Sequence, residues 1–347
     1  MIIQDLTFDK LNELVVKMGE KPYRTGQIFR NLHNGKSISE MTDVSKTVKA
    51  ELLENYSDKA VEIIKELVSK DGTKKYLLKL SDGNVIESVL MNYKYGNTLC
   101  VSTQVGCRMG CAFCASTIGG LIRNLTAGEI LSEVLVINRA IGGDVNKRAI
   151  TNVVLMGSGE PLDNYDNVVS FLKLLSCKEG INVSPRNVSL STCGLVPKMY
   201  DLAKEGLPVN LTLSLHSPFD EDRRKIMPVA NAYTIREIID ALQSYFKATG
   251  RRYYIEYSLI AGVNDTDRCA KELLKLFGGK PCHINLIRLN SVKEKSLIGS
   301  SDKKAEEFMK KLNDSGLSAT MRRRMGDDID GACGQLRRRF IEGDQSY

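Results

Sequence analysis

Gly106-Cys107-Arg108-Met109-Gly110-Cys111-Ala112-Phe113-Cys114 sets three cysteines at Cys-x3-Cys-x2-Cys spacing in one short stretch. Thiolates are the soft ligands that iron–sulfur centres prefer, and three of them can hold three corners of a cubane cluster. A ferredoxin closes its cluster with a fourth cysteine. None follows within reach of this loop, so the spacing predicts a fourth iron left open for a substrate. A zinc site needs a fourth Cys or His, and the chain has only His33, His216 and His283 to offer. The plainest alternative is three structural cysteines in a loop.

The sequence around that stretch says what carries it. From residue 97 onward, strand-like runs fall at 97–103, 152–156, 187–191, 209–215, 253–260, 282–288 and 317–321. Helical patterns separate them at 126–140, 163–176, 196–205, 234–248, 266–277 and 301–314. Strands alternating with helices imply βαβ units and a parallel sheet. The expected fold is therefore α/β, a partial (β/α)6 barrel of the TIM type, whose active site lies at the C-terminal strand ends. Upstream, residues 1–58 read as a small helical domain: Leu11, Leu14, Val15 and Met18 repeat at helical spacing, a second helix enters through Pro22, and a third fits Val44 to Tyr56. In 59–96 three strand-like runs are separated by Asp71-Gly72 and Asp82-Gly83, which are hairpin signals and predict an antiparallel β-meander extension. The remainder, 97–347, is read as the barrel core with a cysteine-bearing C-terminal segment.

Composition narrows the class. A chain of 347 residues with 42% hydrophobic residues can bury a sizeable core. No run of about 18 apolar residues is present, which excludes a helical membrane span, and the start Met1-Ile2-Ile3-Gln4-Asp5-Leu6 does not read as a signal peptide. Nine unevenly spaced cysteines argue against a secreted disulfide framework and for a reducing, cytoplasmic setting. The net charge of +7 is modest but concentrates in Arg322–Arg324 and Arg337–Arg339, candidates for phosphate contact or merely a solvated face.

Further motifs fall where strands end. Gly157-Ser158-Gly159-Glu160-Pro161 follows the strand at 152–156; its glycines let a backbone approach a ligand, and the Glu160 carboxylate can pair with an ammonium. Ser189-Leu-Ser191-Thr-Cys-Gly194 and Ser214-Leu215-His216-Ser217 bring hydroxyls to the next two strand ends, and Asn290 ends the sixth. Cys333 stands between Gly331 and Gly334 in a polar segment, as a thiol that must approach a substrate and change position. Cys100 ends the strand before the cysteine loop and is expected to face the same cavity.

Together these residues resemble the RlmN family of the radical S-adenosylmethionine superfamily, dual-specificity adenine C2 methyltransferases of 23S rRNA and tRNA. The matching segments are Thr98 to Cys107, Cys111 to Thr117, Gly159 to Leu162, Leu213 to His216 and Asp328 to Leu336, with Gly331 where the family usually has Ala. The resemblance implies one [4Fe-4S] cluster on Cys107, Cys111 and Cys114, its fourth iron open. It implies S-adenosyl-L-methionine bound by Gly159, Glu160, Ser191, Ser214, Leu215, His216 and Asn290. It also implies two S-adenosylmethionine molecules per turnover, one methylating Cys333 and the other giving a radical that activates that methyl group. The methylene joins C2 of adenosine 2503 in 23S rRNA before the subunit is fully assembled, and in some members C2 of adenosine 37 in tRNA. Cys100 then resolves the protein–RNA adduct through a transient disulfide, Glu87 takes the C2 proton, and a low-potential donor of the flavodoxin type supplies electrons. Cfr-type enzymes, which methylate C8 of the same nucleotide, are the near alternative, although Ala115 to Gly120 and the Gly-Glu-Pro motif look like RlmN. An iron–sulfur electron carrier and a zinc-dependent RNA-binding protein are the readings from other classes.

Overall fold

The chain opens with three short helices, α1 (Phe8–Lys17), α2 (Tyr23–His33) and α3 (Lys46–Asn55), in a computed structural model that describes residues 1–289 and 297–329. Thr7 and Ser45 cap α1 and α3 by accepting from the Lys10 and Val48 backbone N–H groups, which the first helical turn otherwise leaves unpaired. Leu11, Val15, Ile28, Phe29 and Leu52 form their buried stripes. Several hydrogen bonds fasten this region to the remainder. Asp5 accepts the Gly128 N–H at 2.6 Å, and His33 Nδ1 accepts the Ile181 N–H at 3.1 Å.

Next come β1 (Val61–Val68), β2 (Lys74–Leu80), β3 (Val85–Tyr93) and β4 (Gly96–Cys100), paired antiparallel in sequence order. Gly72 and Gly83 take φ +85° at two of the turns, the left-handed conformation that hairpin turns demand of glycine. The other edge of β4 pairs in parallel with β7 (Ile150–Leu155), and β8 (Val188–Thr192), β9 (Asn210–Ser214), β10 (Tyr253–Leu259), β11 (Cys282–Arg288) and β12 (Ala319–Met321) follow in register. The result is a ten-stranded sheet in the order β1-β2-β3-β4-β7-β8-β9-β10-β11-β12. β1 and β12 do not pair with each other, so the barrel stays open, as a partial barrel should. The meander thus continues the barrel sheet edge to edge.

Helices α4 (Ala127–Ala140), α5 (Tyr165–Leu175), α6 (Val196–Lys204), α8 (Ile235–Thr249), α9 (Asp267–Phe277) and α10 (Asp302–Asp314) cover the sheet as crossovers. Their apolar periodicity made each legible in the sequence. Two elements were not. The strand expected over 97–103 stops at Cys100; the chain then turns into β5 (Gln104–Gly106), which pairs antiparallel with β6 (Leu121–Asn124). At Gly106, φ is +80° and a side chain would collide with the Gly120 carbonyl. This two-stranded ribbon is the base from which the cysteine loop projects. The second is α7 (Asp220–Ile226), whose run of charged residues lacks any apolar period. Among the described residues no helix is long and apolar enough to cross a membrane.

Candidate active site

At the C-terminal ends of the parallel strands lies a cavity of about 360 Å³. Each strand end contributes: Cys100 from β4, Gly157, Gly159 and Glu160 after β7, Ser191 and Cys193 at β8, Ser214 and His216 at β9, Ser258 in β10, Arg288 in β11 and Arg322 after β12. Cys107, Cys111 and Cys114 line the same space.

The cysteine loop is tied at both ends. Cys107 N–H donates to Gly120 O at 3.0 Å, Thr117 Oγ1 to Cys114 O at 3.0 Å, and Ala112 N–H to Ile226 O at 2.8 Å. Burial pushes the Cys107 thiol up to about 12 and raises Cys111 as well. Such thiols stay protonated until a metal takes the proton's place. Among the described residues no three His, Cys, Asp or Glu side chains converge as a single ion would require. The three thiols nevertheless face one cavity, and a cubane spreads its ligands more widely than one ion does, so the donor set fits a cluster with one open iron.

Gly157 and Gly159 lie against the strand-end segment 101–104. A Cβ on Gly157 would sit 2.6 Å from Val101 O, and one on Gly159, where φ is +110°, would sit 2.7 Å from Gln104 Cβ. Only glycine allows this approach. Glu160 is thereby held at the cavity wall. Its N–H donates to Gln104 Oε1 at 2.9 Å, while its carboxylate accepts from Leu162 N–H at 3.1 Å and Cys193 N–H at 2.8 Å. Burial raises its pKa against those hydrogen bonds. A carboxylate in this setting gains from an ammonium placed beside it.

Ser191 Oγ and Ser214 Oγ are 3.2 Å apart, and Ser191 donates to Glu256 at 3.3 Å. Glu256 also pairs with Arg322 at 3.2 Å; Arg323 and Arg324, although exposed, line the cavity mouth with it. His216 adopts φ +56°, and its Nδ1 accepts the Ser258 N–H at 2.9 Å. That bond assigns the ring proton to Nε2. Burial, helped by the nearby Arg223 charge, lowers its pKa to about 3, so the imidazole is a neutral donor. The Leu215 side chain is packed in the main core and its N–H is held by Glu256 O at 3.0 Å.

Cys100 packs with Val89 and Met91 of β3 against the cavity. Glu87, two residues before Val89 on the same face of β3, is buried and ion-paired to Lys75 of β2 at 3.1 Å; it is absent from the cavity lining. Asn290, Cys333 and Arg337–Arg339 lie outside the described residues. Sequence reasoning missed Glu256, Lys75 and Arg223. A lone carboxylate within Tyr253-Tyr-Ile-Glu-Tyr was a usable signal for the first; nothing distinguished Arg223 within its charged run. Cys193, which neighbours a cofactor motif in sequence, proves to line the cavity beside Cys111.

The chain matches two family models: the radical SAM superfamily over residues 101–277 and the ribosomal RNA large subunit methyltransferase N-terminal domain over residues 2–57. It is 50% identical over 343 residues to the "Probable dual-specificity RNA methyltransferase RlmN" of Clostridium perfringens (strain 13 / Type A), covering 98% of this chain and 97% of that one. The protein of the same name from Clostridioides difficile (strain 630) is 49% identical over 342 residues, covering 98% of each. A radical SAM methyltransferase from Sphaerobacter thermophilus superposes with a TM-score of 0.92 at 40% identity, over 96% of this chain and 98% of that one. With its cysteine loop, Gly-Glu-Pro turn and serine-lined strand ends gathered around one cavity, the chain belongs to the RlmN family of radical SAM RNA methyltransferases.

Proposed function

We propose that this RNA methyltransferase acts on C2 of adenosine 2503 in 23S rRNA and of adenosine 37 in tRNA. The observation that carries the reading is that Cys100 lines the same cavity as the three cluster thiols and Glu160, so the expected resolving thiol stands where radical chemistry would occur. When bound, the [4Fe-4S] cluster and S-adenosylmethionine supply the radical. The chain's own residues do the remainder. Gly159, Glu160, Ser191, Ser214, Leu215, His216 and Asn290 hold the cofactor: Glu160 faces its ammonium, the serines offer hydroxyls, and neutral His216 offers an Nε2 proton. Cys333 carries the methyl group that is joined to the RNA base. Glu87 accepts the C2 proton. Once the adduct has lost one electron and the C2 proton, the Cys100 thiolate attacks the Cys333 sulfur. The bond from that sulfur to the methylene carbon breaks with its electron pair left on the carbon, and that carbon takes up a proton to become the methyl group. External thiols reduce the resulting disulfide.

The base must leave its stack to be reached, and α1–α3 with Arg323 and Arg324 are the surfaces for the phosphate backbone. Nascent 23S rRNA in the cytoplasm is the main substrate, and a flavodoxin-type or other low-potential protein is the electron donor. Digestion of 23S rRNA treated with the reconstituted enzyme is expected to give 2-methyladenosine by mass spectrometry. Mainly 8-methyladenosine would replace the C2 reading by a Cfr-type one.

A further inference from the structure

Arg223 is fully buried on α7, behind the cavity wall. Its Nε donates to Leu215 O at 3.1 Å, and its Nη2 donates to Cys193 O at 2.6 Å and Ser214 O at 3.3 Å. Nη1 has no hydrogen-bond partner. No carboxylate of the described residues forms an ion pair with it; Asp220 acts on it only at longer range and is engaged by the Ile235 N–H at 2.8 Å. Three carbonyl dipoles do not neutralise a guanidinium, and an unpaired buried charge is among the most destabilising features a fold can carry. Among the described residues its charge has no counter-ion in contact with it.

Its surroundings indicate what balances that charge. Cys193, whose carbonyl Arg223 holds, packs in one cluster with Cys111. One turn beyond Arg223, Ile226 O accepts the N–H of Ala112, the residue after Cys111. We infer that Arg223 is the buried counter-charge of the iron–sulfur cluster: it balances the cluster's net negative charge and favours the one-electron reduced form. The inference rests on the cluster assignment to Cys107, Cys111 and Cys114. The physical reason is simple. Three thiolates outweigh the positive charge of the oxidised cube, reduction adds one more electron, and a fixed cation in a poorly screened interior stabilises the more negative state. Net charge around a cluster is one of the levers that set its potential. Arg223 does not line the cavity, so it acts through this field without touching substrate, as a positioning charge and not as a catalytic residue.

The test is the reduction potential of the anaerobically reconstituted protein, followed by absorption and by electron paramagnetic resonance of the reduced cluster. Arg223→Gln keeps a donor for the carbonyls and removes the charge. Its equilibrium constant for one-electron reduction is expected to fall roughly tenfold, which is about 59 mV more negative, while Arg223→Lys keeps the parent potential. A Gln variant that binds its full cluster at the parent potential overturns the inference. If the Gln variant assembles no cluster, the Lys variant decides. A parent-like potential in Lys sustains the role of charge, and equal failure in Lys reduces Arg223 to a strut for three carbonyls. A wild-type protein that binds no iron and sulfide would instead refute the cluster assignment itself.

Discussion

Gly159 packs against Gln104 so closely that the glycine has no room for a Cβ. A Cβ on the glycine would lie 2.7 Å from the Gln104 Cβ, and the same glutamine receives the Glu160 N–H at 2.9 Å. These contacts hold the Glu160 turn against residues 103–104, which lead into the cysteine loop.

Gly159→Ala must therefore displace the strand end or the turn, and it must do so at φ +110°. Strained backbone of this kind costs about 1–3 kcal/mol. A lower midpoint of thermal unfolding is expected, with S-adenosylmethionine binding by equilibrium dialysis weakened at least tenfold. Parent affinity in Gly159→Ala would show that the approach is not needed for the cofactor.

The Lys75–Glu87 pair separates a structural role from a chemical one. Lys75 is completely buried and Glu87 nearly so. Glu87→Gln takes away the carboxylate beside a buried ammonium and is expected to cost about 3–5 kcal/mol of stability. The double variant Lys75→Met/Glu87→Leu removes both charges and should recover most of that loss in urea unfolding. RNA methylation is expected to stay absent in both. A stable double variant with normal turnover would strip Glu87 of the role of base.

His33 should make folding sensitive to mild acid. Burial lowers its pKa from 6.5 to about 3, so the folded chain keeps it neutral where the unfolded chain protonates it. Below about pH 6.5 the unfolded state binds the extra proton. The stability linked to His33 is then lost as pH falls toward 3, at roughly 1.4 kcal/mol per pH unit. Between about pH 7.5 and pH 5 the parent is expected to lose about 2 kcal/mol more than His33→Gln. Because the comparison is between two proteins, shared contributions such as buried Glu133, whose raised pKa works in the opposite direction, cancel. Equal losses in both would mean that His33 is protonated in the fold.

Cys100→Ala tests the last chemical step. In the proposed mechanism, methylation of Cys333 and radical formation do not use Cys100, so both should persist, whereas release of the RNA does use it. A covalent protein–RNA band is expected on a denaturing gel, and it should be absent from Cys100→Ala/Cys333→Ala. Normal turnover with no trapped band would reduce Cys100 to one more apolar contact beside Val89 and Met91.

Features encoded by local spacing were legible in the chain. The cysteine loop, the βα period and the capped helices depend on residues within a few turns of one another, so their pattern survives in one dimension. The parallel strands at 152–156, 187–191, 209–215, 253–260 and 282–288 were read nearly where they stand, because each sets apolar residues, continuous or alternating with polar ones, between turn residues. The β5–β6 ribbon was missed because its strands are too short to show a period and are set by the fold of the loop between them. α7 was missed because it is held by its single buried Arg223 and by Ile226 instead of by an apolar face. What only the tertiary structure decided is which distant residues meet. Parallel register brings Glu256 to Ser191 and Arg322, the β2–β3 pairing sets Lys75 beside Glu87, and the packing of α7 places a guanidinium with no ion pair among the described residues behind the cysteine loop. Buried charges are stable only beside partners the fold supplies, and no spacing along the chain records partners that far apart.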